Sequence, residues 1–179
     1  MTNILLLLAL LLVPFAGLRL VGLDVAWRGR ISLAAVFLFT GIGHFLKTAE
    51  MTAMLPPWVP NRTGVILGTG VLEILAAVAL LIPASSRAAG IFLCLFLVAV
   101  FPANIHAALE RVDFGGHAAG PVYLAVRFPL QLLLLAWTWR FAVAPRETPR
   151  RRQAPPQPHI REAVCAPPSA GNGGTNLPP

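Results

Sequence analysis

A chain of 179 residues in which 56% of side chains are hydrophobic and only 12% are charged has too little polar surface to stand as a water-soluble domain. Its mean hydropathy of +0.72 is that of an integral membrane protein. A formal charge of +7 would suit nucleic acid in a soluble protein, but here it reports on membrane sidedness, so the expected partner is the lipid bilayer and no nucleic acid is expected.

Five apolar stretches, Ile4–Leu23, Ile31–Leu46, Gly64–Ile82, Ala88–Leu109 and Val122–Val143, each approach the ~20 residues that cross a hydrocarbon core. None alternates with a period of two, so the pattern predicts helices rather than a transmembrane barrel. The first stretch lacks a basic leading region and an A-x-A cleavage site, and is expected to be kept as a helix. It runs into GLRLVGLDVAWRGR, where Trp27 and the arginines suit a headgroup region.

The second stretch closes with GIGHFLKT, which places His44 near its end. In the following KTAEMTAMLPPWVPNR, a short helix is predicted before PPWVP. There Pro56, Pro57 and Pro60 rule out helix and Trp58 suits the interface, so the segment reads as a loop lying on the membrane. The third stretch opens GVILGTGVLE, and Gly64 with Gly68 forms a GxxxG that predicts a close helix approach. Glu73 falls roughly 13 Å along this helix, near mid-membrane, where an unpaired carboxylate is costly.

A tight turn at PASSR leads into the fourth stretch, which ends FPANIHAALER. Asn104 and His106 are two residues apart, roughly 200° around a helix, so they cannot both face one small site. After the glycine-rich DFGGHAAGP the fifth stretch carries Arg127, about 9 Å in, with Gln131 one turn further on the same face. Arg127 is the expected partner of Glu73. Cys94 and Cys165 are too far apart in sequence to suggest a dithiol centre, and no metal or nucleotide motif is present.

Sidedness follows from the basic residues. Arg19, Arg28, Arg30, Arg87, Arg140, Arg146, Arg150, Arg151, Arg152 and Arg161 fall on one side, against Lys47, Arg62 and Arg111 on the other. The positive-inside rule makes the first side cytoplasmic, which with five spans puts the N-terminus outside and the C-terminus inside. From Pro145 the chain is rich in Pro, Gly and Arg, and residues 145–179 are expected to be a disordered cytoplasmic tail. His44, Glu73, Asn104, Arg127 and Gln131, from four spans, then converge in the outer half as a candidate intramembrane polar site.

FTGIGHF at 39–45, MLPPWVP at 54–60, GVLEILAAVALLIP at 71–84, FPANIHAAL at 101–109 and RFPLQLLLLAW at 127–137 together resemble the DoxX-like membrane family. The resemblance covers about residues 30–143. It implies an antiparallel four-helix transmembrane bundle, here residues 26–144, with the N-terminal hydrophobic helix, residues 1–25, and the tail outside it. It also implies a redox- or quinone-associated membrane subunit, with a quinone as the expected cofactor and other membrane or redox subunits as partners. The positions it carries over are His44, Glu73, Asn104, Arg127 and Gln131. This chain has no cysteine pair near them, which sets thiol exchange aside. The other expectation is a non-enzymatic accessory, scaffold or chaperone-like protein whose buried ion pair only locks the helices.

Overall fold

A computed structural model describes residues 2–144, in which every regular element is helical. The α-helices are α1 (Thr2–Gly17), α2 (Val25–Leu46), α3 (Thr48–Thr52), α4 (Arg62–Leu81), α5 (Ser86–Leu109) and α6 (Pro121–Thr138). A 3-10 turn, His117–Ala119, precedes α6 and a π-helical turn, Trp139–Val143, continues it. Four of these, α2, α4, α5 and α6 with its π turn, are long and apolar enough to cross a membrane.

The boundaries have local causes. The Asp24 carboxylate accepts from the Ala26 N–H at 3.1 Å and starts α2 ahead of the predicted Ile31, which draws Arg28 and Arg30 into the helix. Asn61 caps α4 from a left-handed backbone, its side-chain oxygen accepting from the Gly64 N–H at 3.2 Å. Pro121, whose missing N–H costs nothing in a first turn, opens α6. The first helix ends at Gly17, and hydrogen-bonded turns follow from Leu18 to Gly22. Its 16 residues extend about 24 Å, which is shorter than the predicted span to Leu23.

The long helices pack on one another at defined points. Gly41 of α2 lies against Gly70 of α4, Leu97 of α5 against Gln131 of α6, and Gly29 near the start of α2 against Trp137 near the end of α6. The first helix lays Ile4, Leu7 and Leu11 into the core formed by Leu33, Val36, Phe37, Leu80, Leu93 and Leu134. The predicted GxxxG contact is not made. A Cβ on Gly68 would meet nothing within 4 Å, and one on Gly64 would meet only its own cap, Asn61. The close approach uses Gly41 and Gly70 instead. The expected tail, with the Arg150–Arg152 run and Cys165, lies outside the described residues.

Candidate functional site

Gly41 and Gly70 form the floor of the site. A Cβ on Gly70 would sit 2.7 Å from Cβ of His44 and 3.0 Å from the Gly41 carbonyl oxygen; one on Gly41 would sit 3.2 Å from Cβ of Glu73. Each polar residue therefore packs over the glycine of the opposite helix. Only the missing side chains let the backbones close far enough for the two to meet.

They meet at 3.5 Å, His44 Nε2 to Glu73 Oε1, at the outer edge of hydrogen-bond range. The other ring nitrogen fixes the tautomer. Nδ1 lies 3.0 Å from the Ile66 carbonyl oxygen and 3.2 Å from the Thr69 hydroxyl, which itself donates to Ile66 O at 2.8 Å. A carbonyl only accepts, so Nδ1 carries a proton. Nε2 is therefore the nitrogen that faces the carboxylate. Glu73 is 7% exposed, and its Oε2 is buried without a partner.

Arg127 does not reach Glu73, contrary to the sequence expectation. Among the described residues the ion pairs are His44–Glu73 and Lys47–Glu50. The physical reason is placement: α6 packs mainly on α5, whereas His44 lies directly across the tight α2–α4 crossing. The guanidinium is close enough for its charge to act on Glu73, Tyr123 and His117, and its Nε is buried without a partner. Gln131 is 3% exposed; its amide donates to the Leu97 carbonyl at 2.6 Å, and its Oε1 is unpartnered.

The α5 pair is separated as its spacing requires. Asn104 is buried and donates to the Val100 carbonyl at 3.1 Å, while the Nδ1 of His106 approaches the Met54 carbonyl at 3.2 Å. That second contact ties the loop of Pro56, Pro57 and Trp58 to the end of α5. Trp58 is 81% exposed, as a side chain meant for headgroups would be.

Two residues of this end were not singled out in the sequence. His117 is 3% exposed, with its Nδ1 donating to the Phe114 carbonyl at 2.7 Å, its Nε2 unpartnered, and its ring 4.6 Å from that of Tyr123. Burial pushes its pKa below the usual 6.5, the Phe114 bond opposes this, and the Arg127 charge adds to it. The neutral ring therefore offers a bare Nε2. The signal lay in the glycines: Gly116 at φ +106 and Gly120 at φ +70 bracket the 3-10 turn and fold the ring inward. Among the described residues, no group of three or more His, Cys, Asp or Glu side chains could hold a metal ion.

Residues 33–142, more than half of the chain, match the family model described as domain of unknown function DUF8561. The chain belongs to this family. The DUF8561 match takes in all of α4 and α5, most of α2 and every residue of the polar site. Among curated proteins and among solved structures, no match was found.

Proposed function

We propose that this DUF8561 chain is a DoxX-like membrane protein whose four long helices cross the bilayer as an antiparallel bundle, acting as a redox- or quinone-associated subunit. The observation that carries the reading is the His44–Glu73 contact in a helical core that also leaves Glu73 Oε2, Gln131 Oε1 and Arg127 Nε buried without partners. Buried polar groups normally find partners, and a bound polar headgroup would supply them. Arg127 Nε–H suits a carbonyl oxygen, and the His44–Glu73 pair suits proton delivery to it. Redox chemistry would come from a quinone receiving its electrons from a partner subunit.

Charge distribution supports an orientation. Arg19, Arg28, Arg30, Arg87 and Arg140 face one carboxylate, Asp24, at one end of the helices, whereas Lys47, Arg62 and Arg111 are matched by Glu50, Glu110 and Asp113 at the other. The first end is cytoplasmic in this reading and the polar site lies in the outer half. A first helix that also crosses would put the N-terminus outside.

A scaffold reading is favoured by a different observation. His44 bridges α2 to the Ile66 carbonyl of α4 at the close α2–α4 contact, which is where a purely structural clamp would sit. Extraction and mass analysis of quinones and haem co-purified in mild detergent separates the two. A stoichiometric quinone in wild type, lost in Glu73→Gln/Arg127→Gln, supports the redox reading; a folded wild type that retains none supports the scaffold.

A further inference from the structure

The opposite end of the helices holds a second cluster, which the proposed function does not use. Arg30 is 2% exposed, and its Nε donates to the Phe141 carbonyl at 3.1 Å. That carbonyl belongs to the last turn after α6, where backbone acceptors lack intrahelical donors. The bond uses one of five guanidinium N–H groups, and Nη1 is buried with no partner at all. The guanidinium carbon lies 5.9 Å from the Trp27 ring.

Two more arginines lie at the same end of the helices. Arg28 donates from Nε to the Phe15 carbonyl at 2.9 Å and sits 4.5 Å over the Phe15 ring. The exposed Arg140 sits 5.4 Å from the Phe141 ring. Arg87 opens α5 at the same end, where Gly90 packs on Ala142 and Val143. Among the described residues, no carboxylate forms an ion pair with these arginines. Both ion pairs among the described residues lie at the other end, and Asp24 is engaged with the Ala26 N–H. A buried guanidinium without a counter-ion is costly, and its planar fork matches a phosphate.

We propose that Arg30, with Arg28 and Arg140 at the same end of the helices, binds the phosphate of an anionic phospholipid. The surroundings favour a lipid over free phosphate. Val25 and Trp139 present exposed apolar surface beside the arginines, and Trp27 is half-buried at the same level, so acyl chains and glycerol would find apolar contact where the phosphate meets charge. The proposal rests on the helices being membrane-embedded and is independent of the His44–Glu73 site.

The test uses the full chain in mild detergent, titrated with phosphatidylglycerol, phosphatidylcholine or inorganic phosphate, with native mass spectrometry and thermal melting as readouts. Expected are one retained phosphatidylglycerol per chain, a rise in Tm with that lipid alone, and a loss of about tenfold in its affinity in Arg30→Gln. If Arg30→Gln fails to fold because Phe141 loses its donor, Arg28→Gln/Arg140→Gln replaces it, with a several-fold loss expected. Equal stabilisation by phosphatidylcholine, equal binding of inorganic phosphate, or unchanged phosphatidylglycerol affinity in the variants would each overturn the proposal.

Discussion

Cβ of His44 packs over Gly70 and Cβ of Glu73 packs over Gly41, so the two side chains meet at 3.5 Å across the tightest contact between α2 and α4. Each polar residue is three positions after the glycine of its own helix, in GIGH and GVLE, and so lies on the same face as that glycine. Helix packing and the placement of the His44–Glu73 pair therefore depend on the same four residues.

Energetic coupling should follow this geometry. Glu73→Gln and His44→Gln should show an interaction energy of about 0.5–3 kcal/mol in a detergent melting or denaturant series. The cycle of Glu73→Gln with Arg127→Gln should give less, because Arg127 acts on Glu73 from beyond ion-pair distance. Strict additivity of the His44 and Glu73 changes would remove the pair from the account.

Alanine at the glycines gives a sharper contrast. Gly70→Ala would press on both His44 Cβ and the Gly41 carbonyl, and Gly41→Ala on Ile74 and the Gly70 carbonyl, so each should cost about 1–3 kcal/mol. Gly68→Ala meets open space and should be neutral, or gain up to about 1 kcal/mol from helix propensity. Equal effects at Gly68 and Gly70 would mean that the α2–α4 contact is wrongly assigned.

The long helices were legible because length and hydropathy alone limit what can cross a bilayer: α4 and α5 begin within two residues of their predicted starts. The start of α2 was hidden because hydropathy discounts Arg28 and Arg30, whereas a helix cap depends on Asp24. Depth along a helix carries no azimuth, and so it selected Arg127 for Glu73 when the neighbour across the α2–α4 contact is His44. GxxxG failed for a related reason. Glycine spacing shows which residues share a face, whereas only the packed structure shows which face has a partner, and here it is the Gly70 face. His117 was passed over because a glycine-rich loop looks exposed in sequence.

Stability should depend on pH through His117. Its folded pKa is depressed by burial, so the fold holds it neutral and the unfolded chain takes up the proton more readily. Its contribution is therefore complete above the ordinary value of 6.5 and is lost as pH falls below it. Thermal melts from pH 8 down to about pH 5 should show a decline that His117→Asn, which can still donate to Phe114, reduces. An identical slope in wild type and variant would assign the titration to another group.

Sidedness can be tested independently of any ligand. In the proposed orientation α2, α4, α5 and the π-extended α6 all cross, and the segments before Val25 and after Val143 both face the cytoplasm, in keeping with the five-to-one excess of arginine over acid among the described residues at that end. A reporter fused after Val143 should read cytoplasmic, and one inserted between Val112 and Phe114 should read outside. Moving the balance should move the result: Arg28, Arg87 and Arg140 changed together to Gln should give a mixed population, with Arg30 kept so that the Phe141 carbonyl retains its donor. An outside reading after Val143 in the wild type would invert the bundle and put the His44–Glu73 pair in its cytoplasmic half.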